Sequence, residues 1–427
     1  MRQRRGIVLA AVTVVAAASL WTTVALLARA GIETAGIDGG SEAIQDNAAV
    51  HSAVLVVASE LFGQRDEMRV GQTPQLDEQI VLWESGRHSM IARLMAVDGE
   101  QVLAAEAGRL DLNLASAEQL ERVLGESESV IAARTSRRFD DVRDALSLLD
   151  QSSVAATEQG GLCERLTVHG HEPNVQQSGD RRINISVPWS EVLASRIRSR
   201  FDDNTARVLE EVLKENPVET DADLMRLILA FSVAPADWPD ALDAFSMEPV
   251  QYRRGRIDIN AASAEVIASL PGVTTEQAAS IVQRRDDLDD DLLATRAWPF
   301  IEQLLPTEIA VDFLDRTTVG SWTWRLRLAC GEIPGDDLEA DIQDARVVEV
   351  IIDVAGPQPR IAMLRDVTMR PHAIAWRGTL EESAETPVAE DVQADTPEGA
   401  PSPESSAVVD ESEGDEADDQ RLGRWQP

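Results

Sequence analysis

The chain has 427 residues, 75 of them acidic and 39 basic, for a formal charge of −36. A body this acidic is poorly suited to duplex DNA, because phosphate neutralisation needs a cationic face. The length allows two or three domains with cores of their own. The only cysteines, Cys163 and Cys330, lie too far apart in sequence for a zinc site built on close ligand pairs.

Residues 7–28 are an uncharged apolar run, long enough to cross a bilayer as a helix, and Arg2, Arg4 and Arg5 precede it. The positive-inside rule places the N-terminus in the cytoplasm and the bulk of the chain outside. Ala28-Arg29-Ala30 has the outline of a signal-peptidase site. The apolar run, however, exceeds the roughly 7–15 residues of a signal-peptide core, so a retained anchor is expected. With the body outside the cytoplasm, a disulfide between Cys163 and Cys330 is open.

Residues 31–40 are glycine-rich and loosen the chain. Ser41 then caps a helical run with Ala49, Ala53, Val56, Val57 and Leu61 on its apolar face and Gly63 at its end. Residues 89–94 and 101–104, either side of Asp98-Gly99, read as a β-hairpin.

The phrase Arg109-Leu-Asp-Leu-Asn-Leu-Ala-Ser-Ala-Glu recurs as Arg256-Ile-Asp-Ile-Asn-Ala-Ala-Ser-Ala-Glu, and more loosely as Arg182-Ile-Asn-Ile-Ser. The three starts are spaced by 73 and 74 residues, which points to a repeated supersecondary unit. Each phrase reads as a short extended run leading into a serine-capped helix. Further helices are expected over 190–200, 204–214, 221–231, 238–245 and 275–285, with extended pieces at 166–168 and 183–185. Cys163, His169 and His171 raise a metal question but offer no fourth ligand.

Leu270-Pro271-Gly272 followed by the 275–285 helix resembles a helix-hairpin-helix element, whose turn can offer backbone N–H groups to a phosphate. It has a single glycine and is followed by Asp286, Asp287 and Asp289–Asp291, so a packing and protein-contact role is the better reading.

Residues 322–328, 346–353 and 360–365 alternate as strands, the first two able to pair. Between them a carboxylate-rich loop holds Asp336, Asp337, Glu339, Asp341 and Asp344, a composition that suits calcium or simply a solvated loop. From Glu381 onward the chain carries 15 acidic residues, two Arg and much Pro, Ser and Ala, the composition of a disordered tail. No nucleophile–base arrangement or phosphate-cradling glycine loop emerges, so no catalytic residue and no enzymatic role is expected.

Taken together, the Arg-Gln-Arg-Arg-Gly leader, the apolar helix, the early strands, the Leu-Asp-Leu-Asn and Ile-Asp-Ile-Asn phrases and the closing strands resemble type II secretion system minor pseudopilin K. The resemblance covers most of residues 1–370. It implies prepilin-peptidase cleavage after Gly6, making Ile7 the new N-terminus. Most pseudopilins carry Glu five residues into the mature chain; here that position is Ala11, as in K-type members.

The implied fold is α+β: a leader (1–6), a transmembrane helix (7–28), a pseudopilin-type body (29–108 and 311–378), an inserted helical domain with helix-hairpin-helix repeats (109–310) and an acidic tail (379–427). The implied partners are minor pseudopilins I and J, the pseudopilus and the inner membrane, with calcium in the loop at Asp336, Asp337, Glu339 and Asp341. A membrane-anchored DNA-uptake protein that uses its hairpins on extracytoplasmic DNA is the rival. The glycine break at 31–40, the 162–250 section and the tail depart from the family pattern.

Overall fold

The computed structural model describes residues 44–97, 101–125, 127–149, 156–335 and 337–368. The leader, the 7–28 run and the acidic tail lie outside these residues. Among the described residues no helix is long and apolar enough to cross a membrane.

The fold is α+β. Helix α1 covers residues 44–63 and is followed by the single turn α2 (Arg65–Arg69). Ala49, Val50, Ala53, Val54, Val57, Ala58 and Leu61 of α1 are buried, a stripe at helical spacing. The expected stripe is rotated slightly: Val56 faces out, and Val50, Val54 and Ala58 face in.

Strands β1 (Gln79–Glu84) and β2 (His88–Met95) form an antiparallel hairpin, and β3 (Leu103–Ala105) follows. The chain then enters a mostly helical insert and returns to the sheet near residue 322. In the insert, β4 (Leu110–Asp111), α3 (Ala117–Leu124), α4 (Glu128–Ser136), α5 (Val142–Leu146), α6 (Ala156–Arg165) and β5 (Leu166–Thr167) form the first unit. After β6 (His171–Pro173) comes the second: β7 (Ile183–Asn184), α7 (Glu191–Arg200), α8 (Asp203–Glu215), α9 (Asp221–Ala230), α10 (Trp238–Ala244) and β8 (Phe245–Ser246). After β9 (Tyr252–Arg254) comes the third: β10 (Ile257–Asp258), α11 (Ala264–Ala268), α12 (Thr275–Arg285), α13 (Asp290–Leu293), α14 (Trp298–Ile301), α15 (Ala310–Arg316) and β11 (Thr317–Thr318).

The returning chain forms β12 (Thr323–Pro334), β13 (Gln343–Asp353) and β14 (Arg360–Asp366). The six-stranded sheet runs β1-β2-β12-β13-β14, with β3 also paired to β12. The 89–104 stretch is therefore not a hairpin. β2 and β3 lie end to end along β12, with Leu94 opposite Leu328 and Ala104 opposite Arg325, while β2 takes β1 as its hairpin partner. The expected pairing of the 322–328 and 346–353 strands is present, with Thr323 opposite Asp353. One sheet face, with Leu94, Trp324, Leu326, Leu328, Val348 and Val350, packs against α1; a second core, from Leu110 to Leu314, lies wholly inside the insert.

The insert is three copies of one unit, including the loosely matching middle one. In each, the phrase forms a two-residue parallel bridge to a strand at the end of the same unit: β4 with β5, β7 with β8 and β10 with β11. One more backbone bond extends each bridge, from Leu112 N to Thr167 O, Ile185 N to Ser246 O and Ile259 N to Thr318 O. The side chains of Asp111, Asn184 and Asp258 each accept from the N–H two residues on, at 2.8, 2.9 and 3.0 Å. This local turn frees the chain to start a helix, and Ser116, Ser190 and Ser263 cap those helices.

The arginine heading each phrase donates to a carbonyl in the last turn of the unit's final helix. Arg109 reaches Cys163 O, Arg182 reaches Asp243 O and Arg256 reaches Leu314 O, at 3.4, 3.1 and 3.4 Å. A cation there satisfies an otherwise orphaned carbonyl and matches the helix dipole.

The first and third copies also pack reciprocally. A Cβ on Gly108 would lie 3.0 Å from the Ala261 backbone, and one on Gly255 would lie 2.8 Å from Leu114 Cβ. Ala261 and Leu114 occupy the same place in their respective phrases, so this contact approximates a two-fold relation.

The middle copy has Asn184 where the others have Asp111 and Asp258. Burial pushes Asp258 up to about 7, against the opposing pull of the Asn260 N–H and Arg285, and pushes Asp111 up to about 6. A raised folded-state value means that the stabilisation is complete below the ordinary carboxylate range and is lost as pH rises through about 7. Asp258→Asn, which keeps the acceptor and removes the charge, is expected to stabilise the chain at pH 8 by about 1–3 kcal/mol and to change little at pH 3. Thermal melts across that range check it; equal effects at both pH values would refute the buried-charge account.

Candidate functional site

The polar groups that join the insert to the sheet form the most elaborate constellation among the described residues. Glu106 sits in the turn between β3 and β4 with no exposed surface. It accepts from Arg325 Nε of β12 at 2.7 Å, from Arg109 at 3.3 Å and from the Thr167 hydroxyl of β5. Burial alone would raise its pKa, but Arg325 and Arg109 outweigh burial and hold it at about 2. Arg325 lies 3.7 Å from Glu349 of β13, which Arg327 also binds at 3.0 Å. Fixed charges thus run unbroken from the middle of the sheet into the first copy.

A second link joins β6 to β13. His171 Nε2 lies 3.2 Å from Asp353 Oδ1, its Nδ1 lies 3.1 Å from His169 O, and its ring meets Tyr252 edge-on. Asp353 also accepts from Arg360 and the Ala355 N–H; these bonds and His171 overcome burial and draw its carboxyl down to about 2.

The third group lies inside the insert. Arg253 binds Glu172 at 2.6 Å and Arg256 binds Asp221 at 2.5 Å, with Arg296 3.6 Å from Asp221 and the Thr318 hydroxyl donating to Glu172. All five charged residues are buried. Burial and the neighbouring Arg256 lower Arg296 to about 10, and it donates to Leu314 O at 2.8 Å. These charges lie within ion-pair distance of one another, and Arg256 and Arg296 donate to the Leu314 carbonyl, while Arg253 Nε and Nη1 are buried without a hydrogen-bond partner among the described residues. The first two groups, which cross from the insert to β12 and β13, fix the insert's orientation on the sheet.

The sequence singles out Arg109, Arg182, Arg256 and His171 but not their buried ion-pair roles, nor Glu106, Glu172, Asp221, Arg253, Arg296, Arg325, Glu349 and Asp353; the arginine at the head of each repeated phrase was the available signal. Of the expected site residues, Gly6, Ile7 and Asp336 lie outside the described residues. Asp337, Glu339 and Asp341 lie in the loop between β12 and β13. There the Asp337 carboxylate accepts the Glu339 N–H, and Arg93 donates to the Leu338 and Ala340 carbonyls at 2.7 and 3.0 Å. Among the described residues, which leave out Asp336, no three His, Cys, Asp or Glu side chains converge on a metal position.

The disulfide expectation is corrected. Cys163 and Cys330 are both free, because α6 packs Cys163 against the insert's core while β12 buries Cys330 in the core beneath α1, where burial pushes its thiol up to about 12.

Pro271 and Gly272 form the expected turn, and several of its polar groups are bonded internally. Val273 N donates to Leu270 O, Thr274 N to Gln277 Oε1, and Arg122 of α3 donates to the carbonyls of Ala268 and Leu270. Gly272 has φ +77°, and a Cβ there would lie 2.7 Å from Ile309 Cγ2. The turn is a packing element between the first and third copies. No known protein family and no functionally characterised protein matches this sequence.

Two substitutions test this description. Arg256→Met removes the nearest partner of the buried Asp221 and is expected to cost about 3–5 kcal/mol, with Asp221→Leu in the same chain restoring part of the loss. Gly272→Ala is expected to cost about 1–3 kcal/mol through its left-handed backbone and the Ile309 contact. Denaturant unfolding measures both; losses below about 0.5 kcal/mol would contradict the roles assigned.

Proposed function

We propose that this chain is a minor pseudopilin of a type II protein secretion system. In this reading it is held in the inner membrane by residues 7–28, with its body in the periplasm. It takes a place at the pseudopilus tip beside minor pseudopilins I and J and serves protein export across the outer membrane. The observation that carries the reading is the split sheet. Helix α1 lies across an antiparallel sheet whose strands come from both sides of a helical insert, downstream of an apolar run behind an Arg-Arg-Gly leader. The role is assembly, not catalysis.

Two physical features favour a terminal place in a filament. A Glu five residues into the mature chain would need a partner, commonly a neighbour's N-terminal amine, because an unpaired charge is costly in lipid. Ala11 imposes no such requirement, as suits a subunit with no neighbour above it. The insert is also fixed to the sheet by buried charges, so it would present a surface of constant shape to adjoining subunits.

The DNA-uptake rival loses ground at the hairpin, where the Val273 and Thr274 N–H groups are bonded within the chain and acidic residues follow the second helix. Mass spectrometry of the membrane-extracted protein tests the main reading. A chain beginning at Ile7 is expected; an intact Met1 or a start at Gly31 would overturn it. Salt-sensitive mobility shifts of DNA with the chain would favour the rival.

A further inference from the structure

One stretch of the middle copy departs from the rest of this acidic chain in its charge. Residues 181–200 contain Arg181, Arg182, Arg196, Arg198 and Arg200 against a single acidic residue, Glu191. Arg181, Arg182 and Arg196 line a groove of about 280 Å³, together with Val187, Val192 and Pro249. Each of the three spends hydrogen bonds on backbone carbonyls: Arg181 on Pro249 O, Arg182 on Asp243 O, and Arg196 on the carbonyls of residues 181 and 182. Among the described residues none of the three forms an ion pair with a carboxylate. By contrast Arg200, one helical turn beyond Arg196, is paired with Asp240 at 3.0 Å. Glu248 is the one carboxylate among the lining residues and lies 3.8 Å from Arg256, so the groove combines three guanidiniums and a single carboxylate with small apolar surface, Val192 being 73% exposed.

We propose that this groove is the docking site of the chain's own acidic C-terminal segment, residues 379–427. The segment carries 15 carboxylates and two arginines from Glu381 on, interspersed with Val388, Val392, Val408, Val409 and several prolines. That is the complement of a groove of guanidiniums, valines and a proline. The rest of the body carries a net negative charge, which disfavours the segment over most of its surface. Reach is no obstacle, because residues 369–427 can extend well over ~100 Å from Thr368. Tethering holds the segment at an effective concentration of the order of mM, so even weak docking is populated. Attraction between exposed charges falls off over a Debye length of about 8 Å at physiological salt, so the contact is salt-sensitive. This inference does not depend on the secretion reading.

The chain offers a specific probe. Lys214 is its only lysine. Its Nζ lies 6.0 Å from the Trp189 ring, next to the groove residue Ser190, and 2.6 Å from Glu210. Zero-length carbodiimide coupling of the full chain in detergent, followed by digestion and mass spectrometry, reports which carboxylates reach Lys214. The Lys214–Glu210 link is the internal control.

Links from Lys214 to carboxylates between Glu381 and Asp419 are expected at 50 mM salt. They are expected to fall at least fivefold at 0.5 M salt, and equally in an Arg181→Gln/Arg196→Gln chain whose melting curve matches the parent. Tail links that are absent at low salt while the control forms would overturn the proposal, as would links indifferent to salt and to the two substitutions. Mixed links between isotope-labelled and unlabelled chains would also overturn it, because the occupant would then be a second copy.

Discussion

The insert depends on a contact made three times: an arginine at the head of a two-residue strand donates to the carbonyl that ends the unit's last helix. A two-residue parallel bridge is too short to hold its ends together, since it closes about 60 residues of chain for very few backbone bonds. The arginine adds the missing constraint. It fixes the helix end where the second strand begins, and its charge lies against the negative pole of that helix. Around this closure the sequence needs only an Asx turn and a serine cap to start the next helix, which is why these residue types recur while the helices between them differ.

The closure places charge inside the protein, and charge in a core is stable only when it is paired. The copies meet this differently. Arg109 finds Glu106, which also serves the sheet through Arg325, whereas Arg256 finds Asp221 among three guanidiniums and two carboxylates. Arg182 has a helix-end carbonyl but no carboxylate within ion-pair distance among the described residues. The same pairing that completes the first copy thus ties the insert to the body. An insertion of this length between β3 and β12 costs the sheet little, because loop closure grows only logarithmically with length. Its orientation, however, must be fixed by contacts, and the Glu106 and His171 links supply them.

Several elements were legible in the sequence for simple reasons. The β12–β14 strands alternate with period two, α12 has Thr274 before it and acidic residues after it, and the repeated phrase locates the insert. The 89–104 hairpin misled because Asp98-Gly99 is a strong local signal, while the true partner, β12, lies more than 200 residues away and offers both segments a longer ladder. On α1, adjacent apolar residues at 53–57 leave the angle of the buried stripe undetermined to within one residue. The buried ion pairs were illegible because an arginine in a helical sequence reads as solvent-facing. Only its recurrence at Arg109, Arg182 and Arg256 marks it as structural.

The middle copy shows what repetition leaves free to change. Copies one and three bury their phrases against each other through Gly108 and Gly255, so each constrains the other's sequence at that contact. The middle copy is outside this pair, and its departures are of one kind. Asn184 replaces a buried carboxylate, Pro188 and Trp189 precede a cap displaced by one residue, and α7 and α8 leave Val192 and Val208 exposed. Residues released from internal packing become available for contacts outside the core. The unpaired arginines of the groove fall in this copy, where no reciprocal contact would have required them to be neutral or neutralised.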